Sequence, residues 1–114
     1  MHALRTFLVE CYAPGIERSA AADAGRRARA AATLLRRPDQ PIEYLGALLV
    51  AGDEVVFHAF RAADPKLVDH VSRQAGLRFE RIVESVAIDG AEIAEGLSGL
   101  LAELAADPNE LAAG

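Results

Sequence analysis

Four short segments of the chain are dense in apolar and β-branched residues and end at turn-forming residues. The first covers residues 4–12 and stops at Pro14 and Gly15. The others cover residues 42–50, 55–61 and 81–88. Runs of this length and composition are typical of β-strands. Both alternating rows of the first segment are mostly apolar, which predicts a central strand that is covered on both sides.

Two stretches between these segments repeat apolar residues at helical spacing. In residues 17–37 the repeated residues are small: Ala21, Ala24, Ala28, Ala31, Ala32 and Leu35. A second helix is predicted over residues 65–75, where Asp64 is the N-cap, Pro65 the first helical residue and Gly76 the C-cap. Each pattern gives one apolar face that can pack on a sheet.

The order of elements is therefore β-α-β-β-α-β, which predicts an α+β chain with the ferredoxin-like arrangement of a four-stranded antiparallel sheet. Residues 1–88 form this domain in our interpretation. Residues 89–114 form an acidic C-terminal helical tail, because they carry six acidic residues, no Lys or Arg, and apolar residues at helical spacing: Ile93, Leu97, Leu100, Leu101 and Leu104.

Two helices can cover only one side of a four-stranded sheet. The residues that simple alternation assigns to the uncovered side are nonetheless apolar: Leu4, Leu8, Val56, Phe60, Ile82 and Val86. Because a large exposed apolar patch usually marks an interface, the sequence predicts a homodimer in which two sheets face each other, a dimeric α+β barrel.

Three polar residues interrupt these apolar rows. Alternation places Glu10, His58 and Glu84 on the uncovered side, near the ends where their strands are neighbours. Two carboxylates and an imidazole can bind a divalent metal, or can act as an acid/base cluster. The remaining alternative is a polar trio that only hydrogen-bonds within the dimer interface. Tyr44 is expected to add a phenol from the second strand, and Cys11 to point to the helices as a small hydrophobe.

The amino-acid composition limits the classes of partner and the location that we expect for the protein. The 12 Lys and Arg residues are outnumbered by 17 acidic ones, which argues against a nucleic-acid partner. No apolar run reaches the roughly 18 residues that span a bilayer, and we expect neither a membrane partner nor a signal peptide. One cysteine cannot form an internal disulfide and fits a cytoplasmic location.

The segment Phe-Leu-Val-Glu-Cys-Tyr-Ala-Pro-Gly at 7–15 resembles the start of a family of small bacterial proteins, formerly a domain of unknown function. The segments at 55–62, 75–77 and 81–86 agree with it, so the resemblance covers about residues 4–88. Family members are similar to an actinobacterial nickel-binding protein with a dimeric ferredoxin-like fold. The resemblance implies nickel or another divalent metal, with Glu10, His58 and Glu84 as candidate ligands.

Two functional hypotheses remain open. The first is a divalent-metal-binding protein, and we favour it over an enzyme. The second is a small-molecule enzyme of the dimeric α+β barrel kind, such as a cyclase, isomerase or cofactor-free monooxygenase, with its ligand in the same lumen. A tight polar site with several ligand residues would favour metal, and a hydrophobic pocket beside the three residues would favour a small organic molecule.

Overall fold

The computed structural model describes residues 3–86 of the chain. Six helices and strands are joined by short connections, one of which contains a 3-10 turn at Ala51–Asp53: β1 Arg5–Tyr12, α1 Arg18–Leu35, β2 Ile42–Val50, β3 Val55–Ala62, α2 Pro65–Gln74 and β4 Arg81–Ser85. The six bounds lie close to the predicted ones. The predicted helix within residues 89–114 falls outside the described residues.

The strands form one antiparallel sheet in the order β2-β3-β1-β4. The described residues are therefore an α+β fold compatible with the ferredoxin-like arrangement. The prediction that the first strand is central is confirmed, and β3 is the second central strand. Neither α1 nor α2 is long and apolar enough to cross a membrane.

Helix α1 packs on the sheet through small side chains. Ala21, Ala28, Ala31 and Ala32 are buried, and Ala24 and Leu35 are half-buried against the same core. Because alanine adds only a methyl group to the backbone, the helix axis can lie close to the strands. The core beneath it includes Phe7, Val9, Val56 and Phe60 from the two central strands. The predicted apolar face of α1 is confirmed.

Helix α2 begins and ends as its sequence predicts. The Asp64 carboxylate accepts a hydrogen bond from the Lys66 backbone N–H at 2.9 Å, which satisfies one of the free donors at the helix N-terminus. Gly76 follows the last turn with φ of +75°, a conformation that glycine adopts without strain. Val68 and Val71 are fully buried, so α2 covers the same side of the sheet as α1.

The register of β1 against its two neighbours determines which side chains share a face. Val9 lies opposite both His58 and Ile82, and Glu10 lies opposite Phe57 and Arg81. Directly paired residues point to the same side of a sheet. His58 and Ile82 therefore share the helix-covered face with Val9, and Glu10 lies on the other face.

The side of the sheet turned away from both helices is called the open face here. Its apolar members are Leu8, Leu48, Val50, Val55, Phe57, Ala59 and Val83, and its polar members include Thr6, Glu10, Arg61 and Arg81. The predicted apolar row on this side is right for Leu8 and wrong for Val56, Phe60 and Ile82. Val56 and Phe60 are at most 1% exposed in the helix-side core.

The tight contact of α1 with the sheet gives a prediction about stability. Ala28 is fully buried, and Ala30, two residues further along the helix, is exposed. Replacing Ala28 with Leu should lower the free energy of unfolding by about 1–3 kcal/mol, because the added carbons have no space between helix and sheet. Ala30→Leu is the control and should change it by less than about 0.5 kcal/mol. Equal urea midpoints for the two variants would contradict this packing.

Candidate functional site: a cavity beside a buried histidine

His58 occupies the middle of central strand β3 and faces the helices. Its side chain is 1% exposed, and its Nδ1 is joined by a 2.9 Å hydrogen bond to the hydroxyl of Tyr44 on β2. A bulge between Tyr44 and Gly46 shifts the register of β2 against β3, so that Ala47 lies opposite His58. The phenol therefore reaches the imidazole diagonally from the neighbouring strand.

Helix α1 leaves room for this hydrogen bond because Gly25, which has no side chain, lies next to the Tyr44 hydroxyl. A Cβ atom at Gly25 would lie 2.9 Å from the Tyr44 oxygen, closer than side-chain carbons normally approach. The Arg29 guanidinium lies 5.5 Å from the centre of the Tyr44 ring, and the Phe60 ring meets it edge-on at 5.2 Å. The phenol is thus held from three sides by aromatic, cationic and backbone neighbours.

Burial keeps the hydrogen-bonded pair uncharged near neutral pH. Burial, assisted by the positive charge of Arg27, lowers the pKa of His58 to about 4. Burial raises the pKa of Tyr44 to about 12, although the Arg29 charge acts in the opposite direction. In a hydrogen bond between a neutral imidazole and a neutral phenol, one group donates and the other accepts. No charge is then buried, which suits a poorly solvated site.

A cavity of about 310 Å³ lies beside His58, between the N-terminal half of α1 and the sheet. Its wall is mostly apolar. It is lined by Cys11, Tyr12, Ala13, Ile16, Ala20, Ala21, Ala24, Arg27, Val56, His58, Gly76, Leu77 and Arg78. We call it the His58 cavity. Its volume lies at the lower end of the range of small-molecule sites, and it combines apolar walls with a few polar groups, as such sites do.

Cys11 also lines the His58 cavity and is buried, as the sequence predicts for a residue that faces the helices. Burial, followed by the negative charges of Glu80 and Glu10, raises the pKa of the Cys11 thiol to about 11. The thiolate is the reactive form of cysteine. Cys11 is therefore a neutral wall residue at pH 7 and is not suited to act as a nucleophile.

The prediction that Glu10, His58 and Glu84 converge is wrong. Glu10 lies on the open face and its carboxylate pairs with Arg81. Glu84 lies opposite Phe7 on the edge strand, and its Oε1 is 2.7 Å from Arg5 Nη1. His58 is buried beneath α1.

These residues do not fit a divalent metal as one site, because each carboxylate is paired with an arginine and the three side chains do not share one face. Within residues 3–86 no three His, Cys, Asp or Glu side chains are grouped closely enough to hold a metal ion. Tyr44 does contact His58, but on the helix side of the sheet and not in the expected lumen.

Sequence reasoning also missed Arg27 and Arg78 as residues of the site. Arg27 belongs to the long helix and Arg78 to the loop after α2, so 51 positions separate them along the chain. Only the packing of α1 and of that loop on the same end of the sheet brings both to the His58 cavity. His70 is exposed and lines a separate cavity at the opposite end of the sheet, near Arg5 and Lys66.

Scans of the chain against protein-family models, curated proteins and solved structures find no match. The resemblance to the nickel-binding family therefore stays a prediction.

The depressed pKa of His58 gives a prediction about acid stability. The pKa is about 4 in the folded protein against 6.5 for a free imidazole, so between these values the unfolded chain binds a proton that the folded protein does not. The contribution of His58 to the free energy of unfolding is fully present above pH 6.5 and is lost as the pH falls towards 4. When the pH is lowered from 7 to 5, the free energy of unfolding should fall by roughly 2 kcal/mol because of His58.

Urea unfolding at both pH values would measure this loss. His58→Gln removes the titrating group and should show a smaller decrease between pH 7 and pH 5 than the wild type. His70→Gln, at an exposed position, serves as the control and should keep the wild-type decrease. The same decrease in all three proteins would show that His58 is not held neutral by the fold.

Proposed function

We propose that the protein binds a small organic molecule in the His58 cavity. The observation that carries this proposal is the combination of a mostly apolar cavity with a buried, neutral imidazole in its wall. Apolar walls provide affinity by releasing water, and a fixed polar group orients the ligand. The hydrogen bond between Tyr44 and His58 holds the imidazole in one orientation before any ligand arrives, which reduces the entropy cost of binding.

Binding is better supported than catalysis. An effective general base has a pKa near the working pH, whereas burial lowers the pKa of His58 to about 4. The Cys11 thiol is likewise held in its unreactive form. A cyclase, isomerase or monooxygenase in this cavity would need another base. The two groups suit hydrogen bonding and packing, so we favour a ligand-binding protein.

Cavity filling gives the direct test. Ala24 is half-buried and lines the His58 cavity, and Ala22 is exposed on the same helix. Ligand-observed NMR with a panel of monocyclic aromatic compounds should detect millimolar binding to the wild type. Ala24→Leu should weaken this binding at least about tenfold, a loss of roughly 1.4 kcal/mol, because the larger side chain occupies ligand space. Ala22→Leu should leave it unchanged.

Equal binding by all three proteins would place the ligand elsewhere. Nickel binding stays a prediction from the family resemblance, and Ni²⁺ titration calorimetry on the same proteins separates it from the present proposal. Micromolar Ni²⁺ binding that Glu10→Gln and Glu84→Gln both abolish, with no organic compound bound, would favour the metal hypothesis. It would also require the two carboxylates to leave their arginine partners.

We also propose that the protein is a homodimer formed through the open face. The central strands present Leu8, Val55 and Phe57 on this face, and the flanking strands add Leu48 and Val83, all of them half-buried in the single chain. A second copy would bury these side chains at about 25 cal/mol per Å². A two-fold contact requires a self-complementary surface, and the open face contains both signs of charge, with Glu10 and Glu43 beside Arg81 and Arg61.

The side chain of Phe57 is the sharpest probe of this dimer. Phe57→Asp should give a monomer by light scattering, because a carboxylate would be buried in the apolar centre of the contact. Leu34→Asp is the control, since Leu34 is 82% exposed on α1 and lies away from the open face. A dimeric Phe57→Asp variant would rule out this interface, and a monomeric wild type would contradict the proposed dimer.

A further inference from the structure

We infer that the ligand of the His58 cavity is a small carboxylic acid with an apolar body, bound as the anion with its carboxylate at Arg27 and Arg78. The inference rests on the proposed function, since it names the class of molecule that the same cavity would select. It is based on the distribution of charge in the cavity wall, on the exposure of the two arginines and on the size of the space.

The charge of the cavity wall is one-sided. Arg27 and Arg78 both line the cavity, and no Asp or Glu side chain is among the described residues that do so. Burial and the charge of Arg27 also leave His58 neutral. An anion therefore meets two guanidinium groups and no opposing carboxylate in the wall, although the negative charges of Glu80 and Glu10 reach Cys11 from outside it.

The two arginines are accessible to a ligand. Arg78 is exposed, and the Arg27 side chain is 53% exposed, so both lie towards the mouth of the cavity. Arg27 has one described carboxylate neighbour, Asp23, with 3.6 Å between Nη1 and Oδ2. An exposed pair at this distance on one helix contributes little. The guanidinium can therefore turn to a ligand carboxylate, which it can bind through two parallel hydrogen bonds.

The interior of the cavity favours an apolar body. The apolar part of the wall includes Ile16, Ala20, Ala21, Ala24 and Val56. Only His58 and Cys11 offer polar atoms at depth, and both are neutral. A volume of about 310 Å³ accommodates a single ring with a short substituent. The ligand class is thus a monocyclic or short branched carboxylate, with its hydrophobic end towards His58.

The positive charge of Arg27 acts on the His58 imidazole inside the cavity. It is the second cause, after burial, of the lowered pKa of His58, which agrees with a short path between the two side chains. A carboxylate that neutralises Arg27 would therefore change the electrostatic potential at the imidazole as well as at the cavity mouth.

A pair of probes of equal size tests the inference. Benzoate and benzamide differ in charge and share the ring, and both can be titrated against isotope-labelled protein by NMR. Wild type should bind benzoate about tenfold more tightly than benzamide. Arg27→Gln and Arg78→Gln should each weaken benzoate binding several-fold and leave benzamide binding unchanged. Arg26→Gln is the control, because Arg26 is on the same helix, is 72% exposed and does not line the cavity.

The outcomes separate this inference from the proposed function. If both probes bind equally and Ala24→Leu abolishes both, the cavity binds small molecules and the selection for carboxylates is wrong. If benzoate binding is weakened by Arg26→Gln as strongly as by Arg27→Gln, the attraction is a general surface effect and the inference is again wrong. If neither probe binds at millimolar concentration, both the inference and the proposed function are contradicted.

Discussion

The antiparallel pairing of β1 with β3 and β4 is the constraint on which the rest of the structure depends. By setting Val9 opposite His58 and Ile82, it sends one row of each central strand beneath the helices and the other row to the open face. A shift of one residue would exchange the two rows. His58 would then lie on the open face with Glu10, and the core would lose Val56 and Phe60.

The small side chains of α1 have two consequences that act together. Where they meet the sheet over Ala28, Ala31 and Ala32, they allow helix and strands to approach closely and exclude water from the core. Near the start of the helix, Ala20, Ala21 and Ala24 leave space that no described side chain fills, and this space is part of the His58 cavity. The same residue type thus supports close packing at one end of the helix and leaves a cavity at the other.

The two faces of the sheet are chemically different, and this difference separates the proposed ligand site from the proposed dimer contact. The helix-covered face contains the neutral Tyr44–His58 pair and the cavity. The open face combines apolar residues with balanced ion pairs, a composition suited to a second copy of the chain. Because the sheet separates the two regions, a change at Phe57 on the open face can be made without touching the cavity wall.

Local patterns in the sequence determined the α+β class, the element order, the caps of α2 and the alanine face of α1, because each depends on spacing or turn chemistry within a few residues. They could not determine the phase of β3 and β4. In Val-Val-Phe-His-Ala-Phe-Arg-Ala at 55–62 both alternating rows are apolar, so hydrophobicity alone does not indicate which row is covered. Only the pairing of distant strands decided that His58 lies on the opposite face from Glu10 and contacts Tyr44, and only the packing of α1 against the loop after α2 brought Arg27 and Arg78 to one cavity.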